Sequence, residues 1–165
     1  MMFTKTKKMK NILAVLLIIL SLNSFAQNKA PEWHTDVDKA INLSIESGKP
    51  VFFFFTGSDW CGWCKKLVRE VFDKNEFSNW ASENVVLLDI DFPKRKQQEE
   101  KIRQQNRKLQ KMFQVQGYPT IWIVMPEKEE GGNINFLKLG KTGYIAGGPI
   151  KWINAANQIL KQPAK

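Results

Sequence analysis

The stretch Val51-Phe52-Phe53-Phe54-Phe55-Thr56-Gly57-Ser58-Asp59-Trp60-Cys61-Gly62-Trp63-Cys64 decides the fold. Its first five residues are an unbroken apolar run, with Gly48 and Pro50 before it and Gly57 after it. A short run bounded by turn residues predicts a strand buried on both faces, as in a parallel or mixed sheet. Thr56 to Asp59 read as a loop that delivers the chain to Cys61. Beyond it, Leu67, Val68, Val71 and Phe72 fall at amphipathic spacing, so a helix is expected from Cys61 to about Phe72. Strand, loop and helix together set the only two cysteines of the chain three residues apart at a helix start.

Two thiols so placed close into a disulfide and reopen without moving the backbone, which is the geometry of a redox couple. A purely structural disulfide would gain little, because a ring this small removes about 2 kcal/mol of unfolded-chain free energy at best. Half of a zinc site would need two more strong ligands, yet there is no third cysteine and His34 is the sole histidine. Dithiol redox chemistry is the leading reading, and metal handling by the two thiolates a weaker one. No metal and no cofactor are expected beyond the Cys61–Cys64 disulfide itself. Gly140, Gly143, Gly147 and Gly148 lack phosphate-loop spacing and read as turns and a helix start.

Outward from this centre, residues 27–34 read as a short tether ending at Trp33, with His34 a surface or lightly packed side chain. Val37, Ala40, Ile41 and Ile45 predict a helix over 36–47, stopped by Gly48 and Pro50. Downstream, residues 73–82 suggest a short helix or turn region holding Phe77 and Trp80. Residues 85–90 are a second buried-strand run, ended by Asp91-Phe92-Pro93. The charged stretch 94–113 predicts a helix with Ile102, Leu109, Met112 and Phe113 inward. Lys96/Glu100 and Glu99/Arg103 would be i,i+4 pairs on its outer face. Tyr118-Pro119 precedes a strand over 120–125, and Gly131-Gly132 turns the chain into an antiparallel partner over 134–139. A last helix is expected over about 148–160. This order predicts an α/β fold, a central mixed sheet flanked by helices.

The N-terminus has the three-part pattern of a secretory signal. Lys5, Lys7, Lys8 and Lys10 precede an apolar run from Ile12 to Leu20, and Ser24-Phe25-Ala26 supplies small residues for cleavage before Gln27. The apolar run falls short of the roughly 18 residues a spanning helix needs. Residues 1–26 are therefore expected to be removed, leaving one domain over 27–165 in the periplasm or outside the cell, with no stable membrane insertion. The signal holds four lysines and no acid, so the remainder carries +5 rather than the +9 of the whole chain. Lys94 to Lys111 holds eight Lys/Arg and two Glu, and the rest of the domain sums to about −1. That distribution argues against a nucleic-acid partner. One basic helix, solvated or facing an acidic partner, remains.

At a helix N-terminus the unpaired N–H groups and the positive end of the dipole favour a thiolate. Cys61 is thus the expected nucleophile, and Cys64, one turn deeper, the resolving thiol. The run from Phe53 to Leu67, followed about 55 residues on by Val115-Gln116-Gly117-Tyr118-Pro119-Thr120, resembles the thioredoxin superfamily, and most of all its exported bacterial members. The likeness covers roughly residues 33–162. It implies a thioredoxin-like fold, a cis Pro119 beside the dithiol, and a substrate-binding surface of Trp60, Gly62, Trp63, Tyr118 and Pro119. It implies partners that are protein thiols and disulfides, with a membrane electron donor or acceptor. The family's buried acid, six residues before the first cysteine, is Phe55 here, and its companion lysine is replaced by Leu87. The likeness therefore implies a Cys64 without its usual base. The reaction class is thiol–disulfide exchange, with reduction or isomerisation favoured over oxidation. The rival is a redox-poor, chaperone-like module that binds peptides.

Overall fold

The computed structural model of the protein describes residues 31–162. Five strands form one sheet in the order β1-β3-β2-β4-β5. They are β1 (Trp33–His34), β2 (Val51–Thr56), β3 (Val86–Asp91), β4 (Thr120–Lys128) and β5 (Ile134–Thr142). β2 lies parallel to β3 and antiparallel to β4, and β5 is antiparallel to β4, giving the expected mixed sheet. The helices are α1 (Val37–Ser47), α2 (Gly62–Leu67), α3 (Asn75–Asn84), α4 (Glu100–Met112) and α5 (Gly148–Leu160). α2 runs on into a π-helical turn, Val68–Phe72.

All six residues of β2 are buried, because the strand has a neighbour on each edge and helices on each face. Its alternation divides the core. Phe52 and Phe54 join Leu67, Phe72, Phe77 and Trp152 on the face covered by α2, α3 and α5. Phe53 and Phe55 join Ala40, Leu109 and Phe113 under α1 and α4. The Phe52 ring meets Trp33, Phe72, Phe77, Trp80 and Trp152 at centroid distances of 5.7 to 6.4 Å. α1 is bounded as its sequence predicts. Asp36 accepts from the N–H groups of Asp38 and Lys39 at its start, and Gly48 ends it at φ 69°, the left-handed region that glycine tolerates.

Several expectations are corrected. The tether is not free chain, since Trp33 and His34 pair in parallel with Leu87 and Leu88 of β3. Two residues are too few for any periodicity to announce a strand. His34 is consequently buried, and burial lowers its pKa despite the nearby Glu32 carboxylate. The charged helix starts at Glu100 rather than 94, because the backbone N–H groups of Lys94, Arg95 and Lys96 are held by the Asp59 carboxylate. Lys96 and Glu100 therefore share no helix face, and Arg103 pairs with Glu100 instead of Glu99. Met112 is 51% exposed, while the polar Asn106 is fully buried and donates to the Asp91 carbonyl at 2.9 Å. The undecided segment 73–82 is helical, as α3. The expected signal 1–26 lies outside the described residues. Among those residues no helix is long and apolar enough to cross a membrane.

Phe52→Ala removes the ring at the centre of the larger cluster and is expected to cost about 3–5 kcal/mol. Ile45→Ala, at an exposed position of α1, is expected to stay within about 0.5 kcal/mol. Urea unfolding followed by tryptophan fluorescence measures both.

Candidate active site

The loop after β2 is folded back on itself. Gly57 accepts from the N–H groups of Trp60 and Cys61 at 3.2 and 2.8 Å. A Cβ at Gly57 would fall 2.5 Å from the Trp60 ring, so only glycine allows this approach. The turn leaves Cys61 extended, at φ −79° and ψ 105°, as the cap of α2. Its Sγ accepts the Cys64 N–H at 3.1 Å. Cys61 and Cys64 are joined as a disulfide with their Cα atoms 5.3 Å apart. Cys64 is 1% exposed and Cys61 7%, so Cys61 is the outer sulfur. A backbone N–H aimed at Cys61, with the helix dipole behind it, favours a thiolate there once the bond opens.

The other residues singled out in the sequence gather in two ring groups. Trp60, 37% exposed, donates its Nε1 proton to the Phe92 carbonyl at 2.8 Å and meets Tyr118 edge-on at 5.8 Å. Trp63, 58% exposed, leans on Tyr144 at 5.2 Å, with the Lys66 ammonium over both rings. Tyr144 itself is held by its hydroxyl donating to Glu70 Oε2 at 2.6 Å. Gly62 faces open space, since a Cβ there would meet no heavy atom within 4 Å. The Tyr118-Pro119 bond is cis, as the family resemblance implies. The Tyr118 hydroxyl accepts from Gln110 Nε2 at 2.7 Å, and burial raises its pKa.

Asp59 and Lys65, the charged neighbours of the motif, are both held by backbone partners. Asp59 binds backbone amides of the loop at 94–96, and Lys65 donates to the Asp59 carbonyl at 2.9 Å. The acid beneath the dithiol is Asp89, which the sequence reading passed over. β3 is in register so that Asp89 pairs with Phe54, on the face that carries the cysteines. Phe55 points to the opposite face and so never occupies the position beneath Cys64. Asp89 and Cys64 line one cavity of about 270 Å³ together with Thr56, Ser58 and Arg69. Asp89 Oδ1 is shut off from solvent and has no hydrogen-bond partner among the described residues. Burial, reinforced by the Asp91 charge and opposed by Lys96, pushes its carboxyl up to about 7. The expectation of a Cys64 without an acid is thus overturned. A signal was present: alternation along Val86–Asp91 puts Leu87, Asp89 and Asp91 on one face, and an Asp set between the apolar Leu88 and Ile90 has to be accounted for.

A mixed sheet whose central strand leads into a capped Cys-x-x-Cys helix, next to a strand opened by a cis-proline, is the thioredoxin architecture, and the protein is a thiol–disulfide oxidoreductase of that superfamily. The chain belongs to the thioredoxin-like domain family, whose model matches residues 37–135. It is 29% identical over 130 residues to the disulfide bond reductase DsbH of Chlamydia pneumoniae, covering 79% of this chain and 73% of that one. It is 34% identical over 160 residues to the thioredoxin-related protein DsbJ of the same organism, covering 94% of this chain but 46% of DsbJ. The chain thus spans about half the length of DsbJ. The solved structure of the DsbH oxidoreductase superposes with a TM-score of 0.69 at 29% identity, over 79% of this chain and 85% of that one. A thioredoxin from Thermus thermophilus shares the fold, with a TM-score of 0.58 at 15% identity over 80% and 88% of the two chains.

An acid raised to about 7 when folded binds its proton more tightly than in the unfolded chain. Its contribution to stability is therefore full below about pH 4 and lost as pH climbs to about 7. Asp89→Asn removes that dependence. Between pH 4 and pH 8 the oxidised variant should gain about 2–4 kcal/mol on the oxidised parent in urea unfolding. A difference that does not change with pH would return the Asp89 carboxyl to the ordinary carboxylate range.

Proposed function

We propose that the protein is an exported reductant of disulfides in other polypeptides, with residues 1–26 a removable signal and 27–165 the working domain in the periplasm or outside the cell. The observation that carries this is the capped, outer Cys61 sulfur set between exposed tryptophans, with Cys64 and Asp89 sharing a cavity behind it. The likeness to a protein named a disulfide bond reductase supports reduction as the direction. Trp60, Gly62, Trp63, Tyr118 and Pro119 form the surface for the substrate chain, and the Tyr118 backbone offers hydrogen bonds to an extended segment.

In the reduced protein the Cys61 thiolate attacks one sulfur of a substrate disulfide. The substrate S–S bond breaks, its second sulfur leaves as a thiolate and takes a proton, and a mixed disulfide joins Cys61 to substrate. Asp89, as carboxylate, takes the Cys64 proton. The Cys64 thiolate attacks Cys61 Sγ, the first substrate sulfur leaves and is protonated, and the Cys61–Cys64 disulfide forms. Two electrons have passed to the substrate. An acid near 7 serves both ways, since it accepts a proton from Cys64 here and returns it when a dithiol donor, in our reading a membrane protein, reopens the bond.

Cys64→Ser is expected to accumulate a mixed disulfide with oxidised insulin on a non-reducing gel, and Cys61→Ser to fall to the uncatalysed rate of insulin reduction. Full activity in Cys61→Ser would reverse the assignment of nucleophile. In stopped-flow at pH 7, Asp89→Asn should slow resolution of the mixed disulfide by about 10²-fold while leaving its formation fast. The exposure of Trp60 and Trp63 also suits a module that binds peptides with little turnover. Absent insulin reduction, with client binding preserved when both cysteines are serine, would favour that reading.

A further inference from the structure

Three of the eight cations of the 94–111 stretch, Lys94, Arg95 and Lys96, lie ahead of the helix. The first residues of the stretch form a turn, which with Arg103 and Arg107 of α4 encloses a cleft of about 500 Å³. Lys94, Arg95, Lys96, Arg103 and Arg107 line it, and no carboxylate does. Two cations outside the cleft are matched with acids, Lys39 with Glu32 and Lys101 with Asp36. Arg103 takes Glu100, which stands outside the lining. Among the described residues Lys94, Arg95, Lys96 and Arg107 make no ion pair.

The acid nearest these cations is committed elsewhere. The Asp59 carboxylate accepts the backbone N–H groups of Lys94, Arg95 and Lys96 at 2.6 to 3.2 Å, bonds that hold its pKa below the usual carboxylate range. Asp59 thus ties three successive cationic residues to the loop before Cys61, while among the described residues their side chains make no ion pair. Like charges gathered in a concave site raise the local potential, and an anion relieves it.

The cleft continues from the ring group beside the dithiol. Lys94 Nζ lies 4.1 Å from the Trp60 ring centroid, and Trp60 directly precedes Cys61. Phe92, in the cleft wall, stacks on Tyr118 at 5.3 Å. We propose that this cleft binds an acidic segment, rich in Asp and Glu, of the substrate polypeptide next to its disulfide, so that acidic flanks are selected for exchange. The exchange itself rests on the oxidoreductase reading above. A polypeptide is the occupant because the cation-lined cleft adjoins, through Lys94 and Phe92, the ring group beside the bond to be exchanged. Outside residues 94–111 the expected mature domain sums to about −1, so the rest of its net charge adds no attraction to an anionic membrane.

The test uses three peptides with the same internal disulfide, flanked by four Asp/Glu, four Ser or four Lys. Single-turnover oxidation of the pre-reduced protein is followed by tryptophan fluorescence. At about 50 mM salt the acidic peptide should react about 10-fold faster than the Ser peptide, and at about 500 mM salt the advantage should collapse as charges are screened. Arg95→Glu/Arg107→Glu should bring the acidic-to-Ser ratio to one or below, and Arg95→Gln/Arg107→Gln should lower it by a smaller factor. A ratio of one in the parent, or one that the charge reversals leave unchanged, overturns the proposal. If no peptide is reduced, the oxidoreductase reading fails, and the cleft is judged separately by fluorescence anisotropy of a cysteine-free acidic peptide. Salt-sensitive binding lost in Arg95→Glu/Arg107→Glu supports the cleft, and no binding overturns it. Charge-reversal-sensitive binding to phosphatidylglycerol vesicles without any preference for the acidic peptide assigns the cleft to a membrane and overturns the proposal.

Discussion

Burial of β2 on both faces is the constraint on which the site depends. Phe52 and Phe54 fill one side of the sheet, and Phe53 and Phe55 the other. A slip of one residue would exchange every ring for its neighbour on the wrong side, so the register against β3 and β4 is strongly specified. That register fixes where the strand ends, and the Gly57 turn fixes where α2 begins. Cys61 becomes a helix cap because the chain has no other way out of a fully buried strand. The reactivity of the outer sulfur is therefore a property of the core, passed on through one tight turn.

The same register supplies the acid. With Phe54 opposite Asp89, a carboxylate is placed in the apolar layer behind Cys64, where one oxygen has no hydrogen-bond partner among the described residues. Such a group lowers stability when ionised, so packing alone does not account for its place between Leu88 and Ile90. The chain departs from thioredoxin in the strand that carries the acid. In the proposed reaction, proton handling and fold stability are coupled through a single carboxyl, so the pH range in which Asp89 can accept a proton is also that in which its ionisation destabilises the fold.

Asp59 shows how local chemistry rearranged a larger element. The sequence reads as one helix from 94 to 113, since its composition is charged and uninterrupted by glycine. The carboxylate of a residue far back in the chain instead captures the amides of Lys94 to Lys96 and delays the helix to Glu100. Lys94 is left over the Trp60 ring, and Lys94, Arg95 and Lys96 line the cleft, where a continuous helix would have presented them in rotation to solvent. Periodicity could not reveal this, because the captured groups are backbone amides and their partner is distant in sequence.

The order of strands and helices, the buried character of β2 and the dithiol at a helix start were all determined by the sequence itself. Each depends on local spacing: apolar runs, glycine and proline stops, and two cysteines three apart. The tertiary structure alone decided that Trp33–His34 is an edge strand, that Asp89 rather than residue 55 stands behind Cys64, and that the basic residues enclose a cleft. These depend on pairings between segments separated by tens of residues, and nothing in the order of side chains along one segment encodes the register or reach of another.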